Sequence, residues 1–420
     1  MADGARSDDP AVQHQLDRLA ALSLGGDRLG LERIVDLLDR LGRPQDAMPP
    51  VLHVAGTNGK GSTCAFLRAG LEAAGHKVHV FTSPHLVRYN ERIRLAGRLI
   101  DDVALGALLE EVLDAGADLE PSFFEVTTAV GFLAFARTPA DACVIEVGLG
   151  GRLDATNVVG APLVCGIASL GLDHQSWLGP RLINIATEKA GIAKPGTPLV
   201  TQLYPSHIAS RVGEIARRAG APWLPRGGRW DAIASRDKLR YSDEAGELAL
   251  PLPRLPGRHQ ALNAGLAVAM LRHQRRLSVP AGALSAAMGW ADWPGRLQQL
   301  GDGPLTQGRE VWIDGAHNAA AARALARAIK DTPRHIVLGI LANKDASAIV
   351  DALRPYARSL TFVSVPDHAS HDPAKLAEQF AGRSAGSLDE ALAGLASPIL
   401  IAGSLYLAGE ALRANLQTPD

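Results

Sequence analysis

Short apolar runs and stretches of helix-spaced apolar positions alternate along most of this chain. Val51–Ala55 is one such run; a glycine-rich stretch follows, and Thr63–Ala74 then carries helical spacing that stops at Gly75. Lys77–Thr82, Asp141–Val147 and Leu163–Ser169 are apolar, rich in β-branched residues and closed by glycine or polar residues, as buried parallel strands are. Repeated strand–loop–helix units predict an α/β fold, a three-layer domain with a mostly parallel sheet. The active site of such a sheet is expected beyond the carboxyl ends of its strands.

WADWPG (Trp290–Gly295) interrupts the pattern with a proline and a glycine, and a second alternation begins. Strands are expected at Val311–Ile313, His335–Ile340, Leu360–Val365 and Pro398–Ala402, with helices at Ala319–Lys330 and Ala346–Arg354. We place the boundary near Arg296, giving a first domain at 1–295 and a smaller, Rossmann-like α/β domain at 296–420. Arg226–Pro256 reads as a small β insertion or loop region.

Composition narrows the function classes. At 420 residues two domains are the natural expectation, and 47% apolar with 21% charged residues describes a water-soluble globular chain. A net charge of −1 provides no electrostatic footprint for nucleic acid or an anionic membrane. The acidic first ten residues lack a basic region before an apolar run, so no secretory signal is expected, and no apolar stretch is long enough for a bilayer. Cys64, Cys143 and Cys165 form no CxxC pair and read as reduced, buried thiols. These features fit a cytoplasmic monomer acting on small molecules.

The strongest local signal is Gly56-Thr57-Asn58-Gly59-Lys60-Gly61-Ser62-Thr63, set between a strand and a helix. Glycines let backbone N–H groups curl around a phosphate, and the helix N-terminus adds partial positive charge. Lys60 suits the β/γ-phosphates of ATP, while the hydroxyl of Ser62 or Thr63 suits a metal ion. The spacing is shorter than the standard Walker form. A second glycine run, GLGG, lacks the third glycine of a dinucleotide fingerprint because Leu153 stands there, which argues against a Rossmann cofactor site.

AGTNGKGST resembles the shortened phosphate loop of the Mur ligase superfamily. LGLER (Leu29–Arg33), TSPHLVRYNERIR (Thr82–Arg94), EVGLGGRLDATN (Glu146–Asn157), LDHQSWLG (Leu172–Gly179), EKAGI (Glu188–Ile192), PGR (Pro294–Arg296) and DGAHN (Asp314–Asn318) resemble its dihydrofolate synthase/folylpolyglutamate synthase branch, in that branch's order. The resemblance implies a ligase that phosphorylates a carboxylate with ATP and joins it to the amine of L-glutamate. Dihydropteroate and reduced folates are the implied acceptors, magnesium at two sites the implied metal, and potassium a further candidate ion. A carboxylate is a poor electrophile and phosphate a good leaving group, so the protein's task is positioning and charge neutralisation.

The same resemblance distributes roles. Glu146 and Ser83 are expected at one magnesium and His174 at a second, with Lys189 as a carbamylated lysine. A carbamate requires a lysine whose neutral amine is accessible near neutral pH. Asn263 resembles the residue that reads adenine. Arg296 at the hinge, Asp314 after its strand and His317 are expected on the nucleotide, with Lys60, Lys189, Arg296 and His317 as the catalytic set. Arg28, Leu29, Phe123, Phe124, Glu125, Leu153, Asp154 and Ala155 align with pterin-side segments. Each has a plainer reading. Glu146 or Lys189 can be an ion-pair partner, Ser83 a turn residue, Phe123 and Phe124 core, Arg296 a linker arginine, and His317 a helix cap. Asn343 stands where many relatives carry an acid, and HASHD (His368–Asp372) replaces a segment where they often show an arginine, so the glutamate pocket is left unassigned.

Three rivals remain open at this point. A cell-wall Mur ligase uses the same chemistry but usually carries an extra N-terminal domain, for which the stretch before the phosphate loop is short. A chain that only extends monoglutamylated folate is a second. A P-loop sensor of ATP is the third, and it gives Glu146, His174 and Lys189 no reason to coexist.

Overall fold

The computed structural model describes residues 5–22 and 29–419. Three sheets are present among them. The first has eight strands: β1 (Val51–Ala55), β2 (Val78–Phe81), β3 (Ile93–Leu95), β4 (Arg98–Leu99), β5 (Ala142–Glu146), β6 (Val164–Ile167), β7 (Leu199–Thr201) and β8 (Trp223–Pro225). Their order is β4-β3-β2-β5-β1-β6-β7-β8, parallel except for the β2–β3 and β3–β4 pairs. Every residue of β1, β2, β5 and β6 is buried. That is why these strands read as continuous apolar runs rather than alternating ones.

Arg226–Pro256 resolves into the insertion expected there, an antiparallel sheet of β9 (Trp230–Ala234), β10 (Lys238–Asp243) and β11 (Gly246–Pro251). The third sheet holds β12 (Gln298–Gln299), β13 (Val311–Ile313), β14 (Arg334–Leu338), β15 (Ala357–Phe362), β16 (Arg383–Ser384) and β17 (Ile399–Ala402) in the order β12-β13-β17-β14-β15-β16. Only its β12–β13 pair is antiparallel.

The chain divides into two compact units. One holds Met1–Pro84, Arg88–Arg254 and Gln260–Asp292; the other holds His85–Val87, Leu255–His259 and Trp293–Asp420. Each has its own apolar core. In the first unit Leu37, Phe81, Phe123, Val130, Phe132 and Ile145 pack together; in the second, Leu325, Ile336, Ile349, Phe362 and Leu400 do so. Cys64, Cys143 and Cys165 are free and buried. Among the described residues no helix is long and apolar enough to cross a membrane.

Sequence-based boundaries drift by one to three residues, and the phosphate-loop helix needs the one correction of substance. It runs Lys60–Ala73, so it begins three residues before the expected Thr63. Lys60 and Gly61 read as loop because glycine and the sparse apolar pattern carry no helical signal.

Candidate active site

The parallel order β2-β5-β1-β6 sets the geometry. Ser83 follows β2, Glu146 ends β5, the phosphate loop follows β1, and Asp173 and His174 follow β6. Register pairs Phe81 with Ile145, Val54 with Glu146, and Ala55 with Ile167, so these groups leave one edge of the sheet side by side. The site is therefore assembled from neighbouring strand ends.

The loop itself is fixed from below. Thr57 N–H donates to the Ser169 carbonyl at 2.8 Å, and the Thr57 hydroxyl donates to the Gly171 carbonyl at 3.1 Å. The Ser169 hydroxyl returns a bond to the Asn58 carbonyl at 3.0 Å. Gly59 caps the helix with φ of +87°, a left-handed conformation that favours glycine. A β-carbon there would stand 2.3 Å from Asn263 Oδ1, so Asn263 lies directly against the loop. Asn263 is buried and its Nδ2 donates to Gln260 Oε1 at 3.0 Å.

The two hydroxyls of the loop separate clearly. Thr63 Oγ1 donates to the Gly59 carbonyl at 2.8 Å, a bond within the helix. Ser62 Oγ is buried with no hydrogen-bond partner among the described residues. Ser62 is thus the hydroxyl left for a ligand. Lys60 Nζ stands 3.6 Å from Glu146 Oε1, with the carboxylate almost wholly buried. The ion-pair reading of Glu146 is correct as far as it goes, and its partner is the phosphate-loop lysine.

Lys189 sits near the end of the helix Leu182–Ala190 and is buried. Burial pushes its ammonium down to about 7, the Lys60 charge pushes the same way, and Asp173 and Asp154 oppose both. A β-carbon on Gly151 would lie 3.0 Å from Lys189 Cα, so the GLGG loop packs directly on this lysine's backbone. Asp173 was missed by sequence reasoning. It is buried beside Lys189, and its Oδ1 accepts the His174 N–H at 2.8 Å. The signal for it is its place in LDH, directly before the histidine. His174 is half exposed at the side chain and adopts φ of +50°, a left-handed backbone uncommon outside glycine and often seen at functional sites.

Among the described residues no three His, Cys, Asp or Glu side chains form a ready-made metal cage. Magnesium does not need one, since it takes one or two carboxylates plus phosphate oxygens and water. The donor set here, Glu146 with the unpartnered Ser62 hydroxyl and Ser83 beyond the adjacent strand, fits that demand.

On the expected pterin side, the side chains divide. Phe123 is core, edge-on to Tyr89 at 6.0 Å, while Phe124 is only partly buried and its ring fills the space where a Gly148 β-carbon would be. Glu125 closes a capping box with Ser122 and pairs with Arg33 at 3.2 Å, a link between SFFEV and LGLER that sequence reading did not foresee. Asp154 is buried, its carboxyl pushed up by burial, and it accepts bonds from Leu149 N–H and from the Thr156 amide and hydroxyl. Ala155 is buried, Leu153 partly buried and Leu29 exposed; Arg28 lies outside the described residues.

In the second unit, Arg296, Asp314 and His317 come together. Asp314 Oδ2 accepts the Leu297 N–H and Oδ1 the Ala316 N–H, both at 2.8 Å. Burial raises its carboxyl, and the nearby Arg296 charge opposes that. Arg296 Nη1 lies 2.7 Å from where a Gly315 β-carbon would be, and His317 Nδ1 bonds the Gly315 carbonyl at 2.8 Å. Helix capping falls to Asn318, whose Oδ1 accepts the Ala321 N–H at 2.9 Å, so His317 is not the cap. His259 lies close enough to Arg296 to feel its charge, and burial first, with that charge, holds its imidazole down to about 4. In HASHD, His368 stacks on Tyr406 with centroids 3.8 Å apart, and His371 Nε2 bonds the Lys344 carbonyl.

Comparison with known proteins agrees with this architecture. The model of the Mur ligase glutamate ligase domain matches residues 295–406. The dihydrofolate synthase/folylpolyglutamate synthase of Escherichia coli (strain K12) is 38% identical over 331 residues, covering 78% of this chain and 75% of the relative. The structure of E. coli FolC in complex with DHPP and ADP superposes with a TM-score of 0.88 at 33% identity, covering 97% of both chains. A bifunctional folylpolyglutamate synthase/dihydrofolate synthase from Yersinia pestis, complexed with AMPPNP and Mn ion, gives 0.86 at 28% identity, covering 97% of this chain and 99% of the other. The strand-end phosphate loop, its paired carboxylate and these likenesses lead to one conclusion: the chain belongs to the dihydrofolate synthase/folylpolyglutamate synthase family of Mur ligases and is an ATP-dependent ligase.

Proposed function

We propose that this chain joins L-glutamate to dihydropteroate and, as a second activity, to reduced folates, in each case through an acyl phosphate. The observation that carries the reading is the single sheet edge to which β2, β5, β1 and β6 deliver Ser83, Glu146, the phosphate loop and His174. An acceptor carboxylate oxygen attacks the γ-phosphorus of ATP, the bond to the bridging oxygen breaks, and ADP leaves. The glutamate nitrogen then attacks the acyl carbon, the carbon–oxygen bond to phosphate breaks, and phosphate departs with one oxygen of the original acid.

This chain's residues supply charge and placement. Amides of Gly59–Gly61 at the helix N-terminus hold the phosphates, and Lys60 neutralises the transferring phosphoryl oxygens. Asn263 packs against the same loop and takes the adenine-reading role. Arg296 and His317, which lie beside Asp314, take nucleotide-binding roles, with His317 Nδ1 bonded to the Gly315 carbonyl. Ser62, Ser83 and Glu146 are the groups to hold one magnesium ion, and His174 with Lys189 a second; such ions supply neutralisation of phosphate charge. Lys189 suits carbamylation because its ammonium is held down to about 7, so a large share of its amine is neutral near pH 7. Leu29, Phe124 and Leu153 offer partly exposed apolar surface for a pterin.

The test is ADP release by the purified chain with magnesium, ATP and L-glutamate, each acceptor tried separately. Release requiring acceptor and glutamate together supports the reading. Turnover with reduced folate alone removes the synthase half, and no release with either acceptor removes the proposal.

A further inference from the structure

His53 is an ionisable side chain in the middle of β1, between register partners Ile145 and Cys165, and it is fully buried. An imidazole in such a strand is costly to bury without a hydrogen bond. It has one: His53 Nε2 lies 2.9 Å from Thr156 Oγ1.

The direction of that bond follows from the next one. Thr156 Oγ1 is 2.5 Å from Asp154 Oδ1, and a carboxylate only accepts, so the single hydroxyl proton points to Asp154. The Thr156 oxygen must then accept from His53, which places the imidazole proton on Nε2 and leaves Nδ1 bare. His53 Nδ1 is accordingly buried with no partner among the described residues. Burial first, and the Lys194 charge second, hold this imidazole down to about 3, so it stays neutral. Asp154 Oδ2 completes the relay by accepting the Leu149 N–H at 2.8 Å.

The relay spans the loop Gly148–Asn157 from its last turn to its first. On the opposite side the loop is tied to the Lys189 helix and the residue after it, by Arg152 N–H to the Glu188 carbonyl at 2.8 Å and Asn157 Nδ2 to the Gly191 carbonyl at 3.2 Å. One wall of the loop thus hangs on the helix of Lys189, and the other on the strand that leads into the phosphate loop. The phosphate loop keeps its own bonds to Ser169 and Gly171, independent of Thr156.

We propose that His53 and Thr156 are positioning residues for the pterin acid acceptor, setting the Gly148–Asn157 loop through the ordered relay from β1 to Asp154. The inference rests on the folate-ligase reading above. It concerns acceptor placement and leaves ATP binding untouched.

Steady-state kinetics of Thr156→Val, Thr156→Ser, His53→Leu and His53→Gln test it, each substrate varied in turn. Val keeps the shape of Thr but neither donates nor accepts, whereas Ser restores the hydroxyl; Gln retains a donor that Leu lacks. Expected for T156V is a KM for dihydropteroate raised about tenfold, with kcat and the KM for ATP within about twofold of wild type. T156S returns the acceptor KM to near the wild-type value, and H53Q does so relative to H53L. Should T156V not fold, the H53L and H53Q pair carries the same comparison. An unchanged acceptor KM in T156V, an ATP KM that rises in step, or equal defects in T156S and T156V would overturn the inference. If the wild type itself forms no amide from dihydropteroate, the underlying reading falls and this inference with it.

Discussion

Lys60 Nζ faces Glu146 Oε1 at 3.6 Å, so the lysine that opens the phosphate-loop helix meets the carboxylate that ends β5. The pair satisfies two needs in one place. It compensates a buried carboxylate and, on the proposed mechanism, keeps a cation poised where phosphoryl charge develops.

Removing one partner therefore separates stability from catalysis. Lys60→Ala strands the buried Glu146, so the melting temperature drops and turnover falls by about two to three orders of magnitude. Adding Glu146→Gln to that variant recovers the melting temperature without recovering turnover. Thermal melts with single-turnover kinetics check both, and a K60A enzyme with near-normal rates excludes Lys60 from the chemistry.

The neighbouring hydroxyls should differ sharply. Ser62 Oγ has no partner among the described residues, while Thr63 Oγ1 is bonded to the Gly59 carbonyl. Ser62→Ala is expected to raise the magnesium concentration needed for half-maximal rate at least about tenfold. Thr63→Val removes a bond inside the helix and costs about 1 kcal/mol of stability at most, with little change in metal dependence. Magnesium titrations of both variants decide, and equal behaviour contradicts the assignment.

How much of this was readable beforehand depends on the range over which each feature is encoded. The phosphate loop was legible because strand, glycines and helix are contiguous. The helix start at Lys60 was not, since Gly61 masks the helical pattern. The Asp173–Lys189 proximity joins residues from β6's following loop and a later helix, and only the folded sheet edge brings them together. Phe123 and Phe124 are chemically alike in sequence, and only their positions on one helix send the first to the core and leave the second beside Gly148. His53 is hidden in sequence because a single histidine in an apolar strand has no local signature; its meaning comes from Thr156 far along the chain.

Lys189 yields a pH prediction with a definite sign. Its ammonium is held down to about 7, against 10.5 for an ordinary lysine, so the amine is mostly neutral at about pH 8 and mostly charged at about pH 6. Only the neutral amine captures carbon dioxide. A carbamate signal from carbon-13 bicarbonate should therefore grow as pH rises across that window and be absent in Lys189→Ala. The folded chain also binds this proton more weakly than the unfolded chain, so the stability tied to Lys189 increases with pH from about 7 towards 10.5. Denaturation series on wild type and Lys189→Met measure that slope, which the variant should lack. Added short carboxylic acids should partly restore turnover to Lys189→Ala; wild-type rates in that variant without them exclude the carbamate.

His317 and Asn318 are adjacent and should fail in opposite ways. Asn318→Ala removes the cap of the helix Ala319–Ile329 and is expected to cost about 1 kcal/mol of stability with modest kinetic effect. His317→Ala should leave the melting temperature near that of wild type while lowering turnover at saturating ATP. A reversed pattern would assign the structural role to His317.

Transfer of an acid oxygen into phosphate is the step on which the whole account turns. Dihydropteroate labelled with oxygen-18 in its carboxylate, incubated with the purified chain, ATP, magnesium and L-glutamate, tests it by mass spectrometry of the released phosphate. One labelled oxygen in each phosphate, matched by one new amide, is the expected result. Amide formed alongside unlabelled phosphate would contradict the account.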